Sequence, residues 1–160
     1  MIKAGNVKKH LTSFYPFALR FIAVHFVTYV ACGLIFMHIS SYFDYFAADP
    51  ILSIVMRPAD DLMVRLAIPG QIIRGLILAF AIYPFRVTIL EKPLGWLKLF
   101  SLMFILTSWG AVSPGPGTIE GFFYTYFNFN PLIGLPEITF QMLGFSWLFC
   151  RWQAKKQKYC

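Results

Sequence analysis

The sequence predicts an all-α integral membrane protein of four transmembrane helices. It adds an interfacial helix after the first span and a Pro/Gly-rich, re-entrant segment before the fourth. Three observations predict this. The 160 residues are 58% hydrophobic and only 13% charged, whereas a soluble domain averages ~25% charged residues. The apolar residues gather into runs long enough to cross ~30 Å of hydrocarbon. The charges separate by sign across the loops between those runs. Residues 1–160 read as one transmembrane domain with spans at about 14–39, 61–83, 94–112 and 131–151, and with short basic tails at 1–13 and 152–160.

Residues 1–13 carry Lys3, Lys8, Lys9 and His10 and no acid, like the start of a signal peptide. The run that follows, Phe14 to Ile39, is 26 residues long, while a signal core has ~7–15. It reads as an uncleaved first span, ~39 Å long at ~1.5 Å per residue. Arg20 snorkels toward the inner surface and His25 lies near the centre. In the next stretch Tyr42, Phe43, Tyr45 and Phe46 fit an aromatic belt. The apolar piece Ile51–Met56 is too short to span and suits a helix lying in the interface between Pro50 and Pro58.

Asp60 or Asp61 caps the second span. Asp61 and Arg65 stand four apart, a spacing that allows an ion pair on the first turn. Pro69 lacks an N–H and frees the carbonyl of Arg65. Ala67, Gly70 (or Gln71) and Arg74 recur on one stripe, with Ile72, Leu76 and Phe80 directed elsewhere. Small and polar stripes of this kind let membrane helices pack closely or line a cavity. The third span begins near Trp96 and Lys98 and ends near Trp109.

Ser113–Glu137 holds Pro114, Pro116, Pro131 and Pro136, so no single helix fits it. Thr118 is placed to cap a short aromatic helix from Ile119 to about Phe127. The stretch is too apolar for an exposed loop, so it sits in the interface or dips into the membrane as a re-entrant element under protein or water cover. In the fourth span Glu137, Gln141 and Gly144 form a second polar and small seam. Positive residues concentrate in both tails and in the loop between spans two and three. Asp44, Asp49, Asp60, Asp61, Glu120 and Glu137 occupy the opposite side, against Arg57 and Arg65 alone. The positive-inside rule then predicts cytoplasmic termini in a cell inner or plasma membrane.

Arg74 is the one full charge deep in the hydrocarbon, where a charge costs ~2.5 kcal/mol or more and must face protein or water. Glu137 and Glu120 are its expected partners, with Gln71 and Gln141 completing an intramembrane polar network. His25, Arg65 and Asp61 are secondary candidates for that network. The network holds an ion or anion, or it fixes helix register as a buried ion pair.

No Ser/His/Asp spacing, HExxH, phosphate-binding loop or dinucleotide glycine pattern occurs. Cys32, Cys150 and Cys160 contain no CxxC pair. The basic residues sit at span ends rather than between aromatics, which argues against nucleic acid. The expectation is a non-catalytic multi-pass subunit without cofactor or metal, a scaffold, sensor or anchor that homo-oligomerises and engages a cytosolic or membrane protein. The alternative is a small oligomeric channel or transporter with a polar pathway past Arg74.

Overall fold

The computed structural model describes residues 4–58, 60–90, 93–111, 115, 117–126 and 130–157. Among them the fold is all-helical. Three helices are long and apolar enough to cross a membrane: Phe14–Ser40, Leu62–Leu90 and Leu132–Ala154. The first belongs to α1 (Ala4–Ser40). Ser41, at φ 45°, turns the chain out of α1 into α2 (Tyr42–Ala48). The expected interfacial helix is a single turn, α3 (Leu52–Val55). Asp49 Oδ1 accepts from the backbone N–H of Ile51 and Leu52, both at 2.9 Å, and so starts that turn.

The second long helix is α4 (Leu62–Ile82), which runs on through Pro69. A 3₁₀ turn at Tyr83–Phe85 leads into α5 (Arg86–Leu90). After Leu94, at φ 59°, comes α6 (Gly95–Phe104). It continues as a π-helical turn, Ile105–Trp109, closed by Gly110 N–H donating to the Ile105 carbonyl at 2.6 Å. This apolar helix, Gly95–Trp109, is ~22 Å long at ~1.5 Å per residue, less than the expected span over 94–112. It ends at Gly110.

Thr118 caps α7 (Ile119–Tyr124) as expected, its Oγ1 accepting from Gly121 N–H at 2.9 Å. Residues 113, 114, 116 and 127–129 of the expected re-entrant stretch lie outside the described residues. The last helix, α8 (Pro131–Gln157), starts where the fourth span was expected and extends past Arg151.

The long helices lie in a row, with α4 against α1, α1 against α8 and α8 against α6. Ring contacts give their directions. Phe14 and Phe17 meet Tyr83, while further along α1 Ile22 and His25 meet Gly75. So α1 and α4 are antiparallel. Arg20 donates to Gln153 at 2.6 Å, Phe21 packs on Phe145, and Gly33 faces Glu137. So α1 and α8 are antiparallel too, and α4 and α8 run in the same direction. The shared core is aromatic. Phe21 meets Phe145 edge-on at 4.7 Å, and Phe17 meets Phe149 at 5.2 Å. With Leu99 and Met103 of α6, these residues form one buried cluster. Large aromatic faces suit a lipid setting, where packing rather than water exclusion holds helices together.

A candidate intramembrane polar site

Gln71, Gly75, Ala79 and Ile82 are the buried positions of α4. That stripe is rotated from the expected one: Ala67 and Arg74 are exposed, and among the described residues no other part of the chain comes within 4 Å of a Cβ built on Gly70. Ile72, Leu76 and Phe80 point outward as expected. The cause is Gly75. A Cβ there would stand 3.3 Å from His25 Cδ2 and 3.4 Å from Ile22 Cα, so only a side chain this small lets α1 come so near.

That approach buries His25 completely. Its ring meets Phe145 edge-on at 5.9 Å and tilts toward Tyr29 at 6.4 Å. Gln71 Nε2 donates back to the Ala67 carbonyl at 3.2 Å. Its carboxamide also comes up beside the imidazole, without reaching hydrogen-bond geometry to it. Among the described residues, His25 Nδ1 and Nε2, Gln71 Oε1 and Ser146 Oγ are buried without partners. Thr28, one turn beyond His25, is satisfied by its own helix through the Val24 carbonyl at 2.8 Å.

Toward the other end of this region Glu137 is half-buried on α8. Its Oε1 lies 3.7 Å from the point where a Cβ on Gly33 would sit. Tyr29 lies within electrostatic reach of both Glu137 and Arg74, and His25 within reach of Arg74. Gln141 is buried on the same helix. The structure thus places Tyr29 beside His25, with Gln71 next to the imidazole and with Glu137 and the exposed Arg74 within electrostatic reach of Tyr29, a residue the sequence reading passed over. Tyr29 and Ser146 are the additions. Tyr29 stands one helical turn from His25, and that spacing was the available signal.

The expected ion pair is not made. Among the described residues Arg74 forms no ion pair or hydrogen bond, and neither Glu137 nor Glu120 bonds to it. Glu120 sits in the first turn of α7 and contributes no bond to the cluster among the described residues. Asp61 pairs with Arg57 at 2.9 Å rather than with Arg65. The reason is local: Asp61 is the extended N-cap residue of α4, its Oδ1 accepting from Met63 N–H at 2.7 Å. That posture turns its Oδ2 back toward the preceding loop. The Met63 N–H and then the Arg57 guanidinium hold the Asp61 carboxyl below the usual carboxylate range.

Chemically, the region offers one imidazole, one phenol, two carboxamides, a hydroxyl and a carboxylate, with the exposed Arg74 guanidinium within electrostatic reach. No group of three or more His, Cys, Asp or Glu stands at metal-binding distance among the described residues. Comparison with protein-family models, with curated proteins and with solved structures gives no match.

Proposed function

We propose that this chain is a non-catalytic subunit of a larger membrane assembly, a scaffold, sensor or anchor that self-associates and engages a partner protein. One observation carries the reading. Arg74 is exposed on α4, ~20 Å along the helix from Asp61 and ~18 Å from Arg86. Around it Ile73, Ile77 and Phe80 are exposed as well. In a bilayer that surface faces lipid, and an unpaired mid-depth guanidinium facing lipid costs ~2.5 kcal/mol or more. A second protein surface laid over Ala67, Gly70 and Arg74 removes the cost, and the empty space beside Gly70 gives that surface room for close approach.

The four-span topology belongs to the same proposal. Because α4 and α8 run in one direction, the chain must return across the layer between them, and the apolar α6 lying along α8 supports that crossing. Its ~22 Å suffices only with bilayer thinning or with flanking non-helical residues under protein cover. Even parity puts both termini on the basic, cytoplasmic side, with 113–137 as a re-entrant or interfacial element. Cysteines introduced at Gly117 are then labelled by an impermeant reagent from outside intact cells, and Lys156→Cys is not. The reverse pattern overturns the topology.

A second reading, an oligomeric channel or transporter, draws on the four unpartnered buried polar atoms of His25, Gln71 and Ser146. Mass determination of the intact complex, purified gently from native membranes, separates the two. The subunit reading expects a wild-type assembly that Arg74→Leu and Gly70→Leu reduce to monomers. If Arg74→Leu stays assembled yet abolishes solute flux in vesicles, the channel reading replaces it.

A further inference from the structure

On one side of the α1–α8 seam the helices part to leave an apolar groove of about 560 Å³. Ala23, Val24 and Val27 form one wall, and Trp147, Leu148 and Trp152 the other. Its character changes along its length. Arg20 precedes Ala23, Val24 and Val27 at helical spacing on the same stripe, one turn beyond the residues that line the α1 wall. Arg151 ends the α8 wall, its guanidinium 4.9 Å above the Trp147 ring. These two charges lie at the same end of the antiparallel pair, where Arg20 donates to Gln153 Oε1. Gln153 Nε2 is buried there without an acceptor. Glu137, far toward the other end of α8, is the sole acid in the sequence of α1 and α8. The groove is therefore apolar in its depth and strongly anion-attracting at one end.

Two tryptophans beside that end mark headgroup depth, where their amphipathic rings sit at a membrane–water boundary. Stacking on Trp147 occupies a face of the Arg151 guanidinium and leaves its N–H edges for in-plane hydrogen bonds. We propose that this groove is a binding site for one anionic phospholipid of the adjacent leaflet. An acyl chain lies along Ala23, Val27 and Leu148, and the headgroup phosphate takes hydrogen bonds from Arg20 and Arg151. The fit is one of charge and depth: a protein helix would have to bring its own acid to this level, whereas a phospholipid carries a phosphate there already. The site lies on α1 and α8 and is independent of the Arg74 surface.

Native mass spectrometry of the full-length protein in non-ionic detergent tests it, with equimolar dioleoyl phosphatidylglycerol and dioleoyl phosphatidylcholine as probes. The wild type retains one phosphatidylglycerol in preference to phosphatidylcholine. In Arg20→Gln/Arg151→Gln that preference falls by roughly 5- to 30-fold, as for the loss of two basic contacts to an anionic headgroup. Ala23→Leu/Val27→Phe fills the groove, keeps both arginines and loses the bound lipid. Millimolar inorganic phosphate leaves the wild-type adduct in place, and Arg74→Leu retains it. Equal retention of the two lipids, an unchanged preference in the arginine variant, or displacement by inorganic phosphate overturns the proposal. If the arginine variant fails to fold by circular dichroism, the groove-filled variant and the phosphate competition still decide.

Discussion

Replacing Gly75 by leucine tests the contact on which the polar site depends. A Cβ at this position meets His25 Cδ2 at 3.3 Å and both Cα and Cγ1 of Ile22 at 3.4 Å. Alanine therefore asks its neighbours to yield by a few tenths of an ångström, and Ile22 Cα belongs to a helix that moves only as a whole. Against this, alanine gains ~1 kcal/mol of helix propensity over glycine. The two effects offset, and Gly75→Ala should stay within ~1 kcal/mol of wild type. Leucine adds three further carbons to the same space without any further gain in propensity. Overpacking of that kind costs ~1–3 kcal/mol, and Gly75→Leu should lose that much. Gly144 supplies the control, because nothing lies within 4 Å of a Cβ built there. Gly144→Ala should be neutral or stabilising by up to ~1 kcal/mol. The assay is unfolding in mixed micelles of rising dodecyl sulfate content, followed by tryptophan fluorescence and circular dichroism. A Gly75→Leu protein as stable as wild type, or a Gly144→Ala protein equally damaged, would refute the α1–α4 packing.

Other variants probe the remaining contacts. His25→Phe keeps the ring and removes two unpartnered buried nitrogens, so stability in the same micelle assay should hold or rise by ~1 kcal/mol; a loss above ~2 kcal/mol means that the imidazole is bonded. Phe145→Ala removes edge or stacked contacts with Phe21, His25 and Phe149. At ~0.5–1.5 kcal/mol per aromatic pair the three should cost ~1.5–4.5 kcal/mol, and a neutral result would contradict the aromatic core. The Asp61 carboxyl is held below its ordinary range when folded, so its contribution is fully present above that range and fades as pH falls through the lowered folded value. Hydrogen-exchange protection of the Val64 and Arg65 amides should therefore drop at acid pH in the wild type and stay flat in Asp61→Asn, which keeps a capping oxygen. A drop of equal size in Asp61→Asn would rule out the carboxylate as its source.

The long helices α1, α4 and α8 were legible because span length and apolar content are properties of the sequence alone. Their facing was harder to read. Around Arg74 the helix is apolar on nearly every side, so periodicity does not choose between the stripe through Gly70 and the one through Gly75. A tertiary contact, the approach of Ile22 and His25, makes that choice. The same limit applies to Asp61. Spacing of four residues in either direction offers it an arginine, and the extended backbone of the cap position selects Arg57. The described helix Gly95–Trp109 is shorter than the expected 94–112, and a run of apolar residues does not announce the π-turn at Ile105–Trp109 within it. The polar network was half legible: Gln71, Glu137 and Gln141 are on the inner faces, while Arg74 is turned away from them.

Helix α1 is flanked by α4 on one side and by the later helix α8 on the other, and this bears on how the protein is made. While a ribosome is still adding residues, α1 and α4 have each other, but Phe17, Phe21 and His25 lack the surface that only α8 brings. Insertion of individual helices and their later docking are separable stages, and here the packing of α1 is completed only once α8 has been made. A nascent or truncated product ending before Pro131 carries an uncovered aromatic face within the bilayer. Such a face is a ready signal for membrane chaperones and proteases, so premature termination should yield rapid clearance rather than a partly working fragment.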